Sequence, residues 1–555
     1  MLIGGMQLDQ QLVTTALVDH AAREHGTREI VTLWADGSAE RSNWAAVQHM
    51  ARQMAAALVR LGVKKGDRVA TLAMNHLHHL VSWYGSAGAG AVLHTVNPRL
   101  FDEQLVYIIN HAADRVLLFD RQFAPIVERL KPQLPTIEHF IQYDGVGDLG
   151  YPLFRDWISA EDGQFIWLPI DERDACGLCY TSGTTGNPKG VLYQHRTNVL
   201  HAYALLQPDV FDMASRSNVL PVVPMFHANA WGLPYGCAAA GAKMVMSATN
   251  DAAALWRLIR NENVTHSAGV PTVWLAMFAD MDANGGDYGA LKHVVIGGSA
   301  APRAMIERLM SNNIRVAHAW GMTETSPIGT MGAMPHGWDD MSFDQQVDMV
   351  AKQGRVPFGV ELRTVDDDDV VLPRDGKSSG RLQVRGLWIV QRYFQAEHDA
   401  ADMDGWFDTG DVAILHPDGV MQITDRAKDV IKSGGEWISS IELENAAMGC
   451  PGVAEAAAVG VPHPKWDERP ILLVVRKAAA QPYQSLLVAV DFSQVSQRLV
   501  ELGSALQPSA RVELFHAIDT TNEGKLRYAE VSERAIRAYR EECQRFAQDR
   551  MFRSE

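Results

Sequence analysis

Cysteine, long apolar runs and positive charge are all scarce in this sequence of 555 residues. Its five cysteines are too few for a disulfide framework, and they indicate a reducing cytosol and a cytoplasmic location. Cys176 and Cys179 form a C-x-x-C pair, but no second ligand pair lies nearby, so we assign it neither zinc nor redox chemistry. No run of about 18 apolar residues occurs, and no basic segment precedes an apolar one at the start. Neither a transmembrane helix nor a signal peptide is therefore expected.

The charge balance argues against a nucleic-acid partner. The 66 acidic residues exceed the 50 basic ones, which gives a net charge of −16. A chain this acidic is a poor nucleic-acid binder by bulk electrostatics. Apolar residues make up 47% and charged residues 21%, so the composition is that of a globular protein of several domains.

Alternating helical and strand patterns organise the chain as far as residue 325. Residues 43–61 place apolar side chains at helical spacing, and residues 68–73 read as a short strand. A second helix is predicted over 76–90 and a second strand over 91–96. Strands separated by helices predict an α/β fold with a largely parallel sheet covered on both faces.

The pattern changes from Gly354 onward. Short strands there alternate with the turn signals Asp375-Gly376, Asp404-Gly405 and Asp418-Gly419, which predict a small antiparallel β subdomain. The charged segment 425–428 lies between strands and suits a hinge between rigid bodies. We therefore predict a large N-terminal domain over 1–424, a small α+β C-terminal lid over 425–480, and a tail over 481–555.

The most informative segment follows the apolar strand 175–179. Residues 180–190 read Tyr-Thr-Ser-Gly-Thr-Thr-Gly-Asn-Pro-Lys-Gly, a loop rich in glycine and hydroxyl groups. Glycines let backbone N–H groups approach an anion closely, and Lys189 adds a positive charge, so the loop suits a polyphosphate. It is not the Walker pattern, because Gly190 follows Lys189. An ordinary surface turn is the alternative. The candidate phosphate ligands are Thr181, Ser182, Gly183, Thr184, Thr185, Gly186 and Lys189.

This loop resembles the signature of the adenylate-forming superfamily, which includes acyl-CoA synthetases, firefly-type luciferases and peptide-synthetase adenylation domains. Further motifs resemble those of the family in the family's order, and the resemblance extends to about residue 477. They are Pro224-Met225-Phe226-His227, Gly297-Gly298-Ser299-Ala300, Trp320-Gly321-Met322-Thr323-Glu324, Trp406-Phe407-Asp408-Thr409-Gly410-Asp411, Asp425-Arg426-Ala427-Lys428-Asp429 and Lys432-Ser433-Gly434-Gly435-Glu436.

The resemblance implies a reaction in two steps, with ATP, Mg²⁺ and coenzyme A. ATP and a small-molecule carboxylic acid give an acyl-adenylate and pyrophosphate. A lid then rotates at the hinge, where Lys428 lies, and the thiol of coenzyme A displaces AMP. Relatives also suggest a homodimer, although no motif supports one.

Residue types and the resemblance together suggest roles for the motifs. Glu324 is a hard oxygen ligand for Mg²⁺, with the Thr181 or Thr184 hydroxyl as a helper; a helix-cap partner is its alternative. Asp411 and Arg426 would bind the ribose. Lys432 and Lys525 are further catalytic candidates. The remaining implied nucleotide contacts are Gly298, Ser299, Ala300, His318, Ala319, Trp320, Thr323 and Trp437. The implied acyl and thioester positions are His227, Ala228, Trp231, Gly297, Gly298, Trp320, Gly434 and Gly435.

Some stretches are more specific about the acid. Residues 227–235, 433–440 and 463–470 resemble bacterial medium- and long-chain fatty acyl-CoA synthetases. Residues 318–324 are most similar to the medium-chain branch, and they also resemble ligases for methylmercaptopropionate, a short thioether acid. We therefore expect a medium-chain fatty acid, with the thioether acid as one alternative. A nucleotide-binding sensor without ligase activity is the other.

The end of the chain departs from the family pattern. The last candidate for the lysine that ends the family's lid is in Asn522-Glu523-Gly524-Lys525, where the expected proline is absent. Residues 484–493 resemble the first strand and turn of a universal stress protein, and a helix over 497–506 and a strand over 511–518 follow in the pattern of that family. One interpretation, which the sequence favours, is a truncated lid with a partial stress-protein-like tail, so that replacing Lys525 changes adenylation little. The other is a divergent lid in which Lys525 serves adenylation.

Overall fold

The protein is described from a computed structural model, in two compact units. The described residues are 10–181, 187–332, 334–426, 431–433, 436–438, 440, 443–444, 447, 453–463, 467–476, 485–490, 511–516 and 527–529. The first unit is Met1–Arg363, Gln383–Asp408 and Leu415–Gln422. The second unit is Thr364–Leu382, Thr409–Ile414 and Ile423–Glu555.

Both helices predicted from apolar spacing, over 43–61 and 76–90, are present in the structure. The predicted helix over 43–61 is confirmed, and it begins after Asn43 because this side chain accepts the Ala46 N–H at 2.9 Å. No helix among the described residues is long and apolar enough to cross a bilayer. The helices are α1 (Thr14–His25), α2 (Trp44–Arg60), α3 (Leu77–Gly88), α4 (Asp102–Ala112), α5 (Ala124–Leu130), α6 (Phe154–Ser159), α7 (His195–Leu205), α8 (Leu233–Ala240), α9 (Ala252–Asn261), α10 (Pro271–Asn284), α11 (Arg303–Met310) and α12 (Phe343–Val350).

Four sheets are found in the described part of the chain. Their strands are β1 (Glu29–Leu33), β2 (Ala39–Asn43), β3 (Arg68–Leu72), β4 (Val92–Thr95), β5 (Asp114–Phe119), β6 (His139–Gln142), β7 (Ala175–Tyr180), β8 (Gly190–Gln194), β9 (Asn218–Pro221), β10 (Lys243–Ser247), β11 (His266–Gly269), β12 (His293–Ile296), β13 (Arg315–Gly321), β14 (Ile328–Met331), β15 (Val360–Val365), β16 (Ser379–Gly386), β17 (Phe407–Leu415), β18 (Met421–Arg426), β19 (Ile431–Ser433), β20 (Glu436–Ile438), β21 (Val453–His463), β22 (Asp467–Arg476), β23 (Ser485–Val490), β24 (Arg511–His516) and β25 (Arg527–Ala529).

The first unit contains two mainly parallel sheets. The larger has the order β14-β13-β12-β11-β9-β10-β1-β2, and the smaller has the order β6-β5-β3-β4-β7-β8. Only the pairs β13/β14, β1/β2 and β7/β8 are antiparallel within these two sheets of the described chain. The predicted α/β fold with a largely parallel sheet is thus confirmed.

Helices cover both faces of each of these sheets. One apolar core contains Leu118 of the smaller sheet and Val295 of the larger sheet, together with side chains of α1, α2, α3, α7 and α8. These helices therefore lie between the two sheets. Ile296, the next residue along β12, belongs instead to a second apolar core, which includes side chains of α9 to α12. Leu117 belongs to the core under α4 and α5. Alternate residues face opposite helical layers, as the two-residue period of a strand requires.

The sheet of β15 to β18 has its strands in chain order, as a meander does. Each connection carries one of the predicted Asp-Gly turns. Gly376, Gly405 and Gly419 have φ values of 73°, 82° and 85°, a left-handed conformation that glycine adopts without strain. The turn chemistry read from the sequence is confirmed at all three positions.

The second unit also contains a sheet in the order β20-β19-β22-β23-β24-β25, with β21 paired to β22. Strands β22 and β23 are antiparallel, whereas β23 and β24 are parallel. The strand predicted at the start of the tail corresponds to β23. The predicted helix over 497–506 lies outside the described residues.

The layered core makes a direct prediction about stability. Leu118 is fully buried in β5, so Leu118→Ala should lower the free energy of unfolding by about 2–5 kcal/mol. Leu275→Ala is the matched control, because that side chain is 47% exposed on α10 and its loss should cost about 0.5 kcal/mol or less. Urea denaturation of both variants measures the difference, and equal losses would contradict this account of the core.

Candidate functional site

The predicted phosphate loop connects the antiparallel strands β7 and β8. The Thr181 N–H donates to the Lys189 carbonyl at 2.9 Å, and the Lys189 N–H donates to the Thr181 hydroxyl at 3.1 Å. These two hydrogen bonds close the base of the loop as a hairpin. Ser182, Gly183, Thr184, Thr185 and Gly186 lie outside the described residues, so their roles remain predictions.

Glu324 lies in a short 3₁₀ turn, Thr323–Thr325, and its side chain is only 5% exposed. Its Oε1 accepts a hydrogen bond from the Tyr393 hydroxyl at 2.7 Å, and its carbonyl accepts the Val390 N–H at 2.8 Å. The neighbouring Thr323 carbonyl accepts the Tyr193 hydroxyl at 2.8 Å. The predicted metal ligand is therefore a buried, oriented carboxylate.

Tyr393 connects this turn to the phosphate loop. The Lys189 ammonium lies 4.9 Å from the centre of the Tyr393 ring. The next residue, Phe394, donates its N–H to the Gly190 carbonyl at 2.8 Å. Sequence reasoning missed Tyr393, since the only signal was a pair of adjacent aromatic residues in the polar stretch 391–395. The structure brings Lys189 and Glu324 to the same tyrosine.

The predicted acyl wall contains a strained backbone segment. Residues 228–232 all have left-handed φ values, from 43° at Ala228 to 70° at Gly232. The left-handed conformation costs about 1–2 kcal/mol for each residue other than glycine. Asn229 anchors the segment, because its side-chain amide donates to the Asn198 side chain at 2.7 Å. Strain of this kind is characteristic of functional sites.

Trp231 belongs to this strained segment and lies against Gly297. A Cβ atom added at Gly297 would be 3.2 Å from the Trp231 ring and 3.1 Å from the Ala319 carbonyl oxygen. Gly298 follows with a φ of 82°. Three residues predicted for the acyl site are thus brought together, and Gly297 allows the indole to approach the backbone closely.

His227 directly precedes the strained segment 228–232, and its side chain is exposed. The surrounding protein atoms, and then the Arg99 guanidinium, lower the pKa of His227, so its imidazole is neutral at pH 7. A neutral ring suits the wall of an apolar pocket better than a cation would.

His318 is buried, and both of its ring nitrogens contact the backbone. Nδ1 donates to the Ala351 carbonyl at 2.9 Å, and Nε2 accepts the Ala301 N–H at 3.4 Å. Burial lowers the pKa of His318, which keeps the ring neutral, as these two bonds require. His318 therefore holds the loop of the exposed residues Ser299 and Ala300, both of which are predicted nucleotide contacts.

Trp320 is buried, and its ring packs on the backbone at Gly329, where an added Cβ would lie 2.1 Å away. This position is compatible with a ring that faces the ligand and also with an ordinary core side chain. Ala319 is half-buried beside it.

The second unit holds the predicted ribose ligands. Arg426 Nε donates to Asp411 Oδ1 at 2.9 Å, and Asp411 is 2% exposed whereas the Arg426 side chain is 53% exposed. The structure therefore brings these two predicted residues together as an ion pair. Asp425, beside Arg426, is buried and accepts both the Ser440 N–H and the Ser440 hydroxyl, at 2.6 and 3.0 Å. It anchors the chain on one side of the predicted hinge.

Several predicted residues cannot be placed. The side chains of Lys432 and Trp437 lie outside the described part of the chain, although the backbones of these residues pair across β19 and β20. Lys428, Gly434, Gly435 and Lys525 lie outside it entirely.

Two family models match this chain. One, described as AMP-binding enzyme, matches residues 18–394, and one described as AMP-binding enzyme C-terminal domain matches residues 442–525. The first covers more than half of the chain, which therefore belongs to the AMP-binding enzyme family. The second spans the segment that resembles a universal stress protein, and that resemblance remains a prediction.

Within this family the chain belongs to the acyl-CoA ligases. It is 48% identical to a 3-methylmercaptopropionyl-CoA ligase of Ruegeria lacuscaerulensis, with 87% of this chain and 91% of the relative covered. It is 46% identical to a medium-chain-fatty-acid–CoA ligase of Ectopseudomonas oleovorans, with 85% and 88% covered. The crystal structure of an anthranilate CoA ligase in complex with anthranoyl-AMP has a TM-score of 0.74 at 21% identity, with 96% of this chain and 98% of that chain covered. At that identity the likeness shows the fold alone.

The hairpin base of the loop leads to a prediction about nucleotide affinity. Thr181→Val removes the acceptor for the Lys189 N–H, a loss of about 0.5–1.5 kcal/mol, so the Kd for ATP should rise about two- to tenfold. Thr136→Val is the control, because no described residue hydrogen-bonds to the buried Thr136 hydroxyl. Calorimetric titration with ATP measures both variants, and equal affinities in the two would contradict this function of Thr181.

Proposed function

We propose that this enzyme activates a medium-chain fatty acid with ATP and transfers the acyl group to coenzyme A. The acid and ATP would give an acyl-adenylate and pyrophosphate in the first step. In the second step the thiol would displace AMP, after the segment over 425–480 rotates as a lid. A cytoplasmic location and a homodimer, both expected from the sequence, belong to the same proposal.

The observation that carries the proposal is the cluster of Lys189, Tyr393 and Glu324. Activation brings a carboxylate against a phosphate, and two unit charges at 4 Å repel by about 4 kcal/mol at a protein surface. The Lys189 ammonium beside the loop offsets part of this repulsion. Charge that develops on the α-phosphate in the transition state would be stabilised by the same positive charge and by the N–H groups of the loop.

The described residues suit Mg²⁺ that arrives with the nucleotide. They contain no group of three histidine, cysteine or acidic side chains able to hold a metal ion by themselves. Mg²⁺ in nucleotide sites is held by one or two protein oxygens together with phosphates and water, which fits the hard oxygen of Glu324 and the hydroxyl of Thr181 at the base of the phosphate loop. Bound there, Mg²⁺ would neutralise phosphate charge.

The acyl group would lie along the wall of Trp231, Gly297 and Gly298. This wall has no described charged side chain among its own residues, and it includes the neutral His227. Each buried CH₂ contributes about 0.8 kcal/mol, so pocket depth sets the preferred chain length. The thioester passage would lie beside Gly434 and Gly435.

A short thioether acid is the second candidate, because a relative named for that substrate is 48% identical to this chain. Octanoate has about three more chain atoms to bury than 3-methylmercaptopropionate, a difference of about 2.4 kcal/mol or about 50-fold. Substrate ranking therefore separates the two candidates.

We expect pyrophosphate release with kcat/KM for octanoate about 50-fold above that for 3-methylmercaptopropionate, with palmitate below octanoate. A coupled pyrophosphate assay with each acid, with and without coenzyme A, measures this. A higher kcat/KM for 3-methylmercaptopropionate than for octanoate would establish the thioether ligase. Measurable ATP binding without pyrophosphate release for any acid would instead favour the nucleotide-binding sensor.

We further propose that Lys525 serves the adenylation step, because the C-terminal family match ends at this residue. Lys525→Ala should then lower the adenylation rate by about two orders of magnitude or more and leave thioester formation from supplied acyl-adenylate nearly intact. Single-turnover assays of each half-reaction measure this, with Lys477→Ala as the control. A nearly unchanged adenylation rate would favour the truncated lid with a stress-protein-like tail.

A further inference from the structure

Tyr393 occupies a position that none of the predicted roles explains. It lies in the first unit, between β16 and β17, and is half-buried. Its hydroxyl and its ring contact two different charged groups of the site, Glu324 and Lys189. Both of these groups come from segments of the chain that are distant from Tyr393 in the sequence.

The hydroxyl contact is a charge-assisted hydrogen bond. The Tyr393 O–H donates to Glu324 Oε1 at 2.7 Å, which is within the usual range for such bonds. Because an ionised carboxylate can only accept a hydrogen bond, the phenol is the donor and Glu324 is the acceptor. One carboxylate oxygen is thereby held in place, and the second oxygen remains able to face a cation.

The ring contact involves the loop lysine. The Lys189 ammonium lies 4.9 Å from the ring centre, within the distance at which a cation is attracted to an aromatic face. One side chain therefore contacts a positive charge with its ring and the negative charge of Glu324 with its hydroxyl.

The backbone around Tyr393 is tied to the same two segments. Val390 donates its N–H to the Glu324 carbonyl, and Phe394 donates its N–H to the Gly190 carbonyl, both at 2.8 Å. The Gln395 side chain donates to the His111 carbonyl at 3.1 Å. With the backbone fixed on both sides, the phenol has little freedom to move away from Glu324.

We infer that Tyr393 is a positioning residue that orients the Glu324 carboxylate toward the magnesium ion of Mg·ATP. The inference rests on the proposed function, because it takes Glu324 as the metal ligand. Partners that orient a metal-binding group contribute about 10- to 100-fold to metal affinity when they are removed. Tyr393 would act through Glu324 and make no bond to the metal itself.

The test is a metal titration of the full chain. Mn²⁺ replaces Mg²⁺ as the probe, and electron paramagnetic resonance measures its binding in the presence of α,β-methylene-ATP, whose α–β bridge cannot be cleaved to transfer AMP to an acid. Tyr393→Phe removes the hydroxyl and retains the ring, including its contacts with Lys189 and Phe407. We expect the Kd for Mn²⁺ to rise about 10- to 100-fold. Binding of the nucleotide without metal should change by less than about twofold.

Two comparisons separate positioning from a general structural effect. Tyr203→Phe is the matched control, because that side chain is 52% exposed on α7, and it should leave the Kd for Mn²⁺ unchanged. In a Glu324→Gln background, Tyr393→Phe should add less than about a twofold change, since the two residues act on the metal as a unit. If Tyr393→Phe alone is unstable, Tyr393→His replaces it in the comparison with Glu324→Gln. Histidine retains a flat ring and an N–H donor, so it should restore part of the affinity for Mn²⁺.

An unchanged Kd for Mn²⁺ in Tyr393→Phe would overturn the inference, and so would an equal loss of nucleotide affinity with and without metal. Failure of the proposed function has a different signature. In that case the wild-type chain would release no pyrophosphate with any acid, whatever the Mn²⁺ titration of the variants shows.

Discussion

Burying a carboxylate is expensive unless donors or cations compensate it, and this constraint shapes the centre of the first unit. Glu324 is nearly inaccessible to water, and it accepts a hydrogen bond from a phenol whose ring also contacts the Lys189 ammonium. The segment around Tyr393 is thereby tied to the 3₁₀ turn and to the base of the phosphate loop. A metal ion carried by a nucleotide would complete the compensation, so ligand binding and the stability of this region are physically linked.

The acyl side of the site is built on a different principle. Residues 228–232 adopt a left-handed backbone that only glycine adopts without cost, and the surrounding fold compensates through the Asn229–Asn198 hydrogen bond. The result is that Trp231 reaches over Gly297, where any larger residue would crowd the indole. Shape here depends on backbone strain and on the absence of a side chain. In contrast, the nucleotide side depends on charge.

The second unit contains an ion pair whose two members differ in exposure. Asp411 is buried and Arg426 is largely exposed, so the pair ties the chain next to the predicted hinge to β17 without fixing the whole arginine. Because solvent screening weakens exposed ion pairs, the Asp411–Arg426 pair orients the arginine more than it stabilises the fold. Asp425 adds a firmer anchor, because its carboxylate is buried and accepts two hydrogen bonds from Ser440.

Local features of the sequence were enough to locate α2, β3, β7 and the Asp-Gly turns, because periodicity, helix caps and turn chemistry act over a few residues. The motifs were also enough to predict Thr181, Lys189 and Glu324 as site residues. They could not identify Tyr393 as the link between Lys189 and Glu324, or the approach of Trp231 to Gly297. Tyr393 is 69 residues from Glu324, and Trp231 is distant from Gly297 in the chain, so these contacts exist only once the sheets and helices pack. Residue type and spacing by themselves determined what chemistry the chain carries. Long-range packing alone decided which groups touch, because it sets the distances over which hydrogen bonds and charges act.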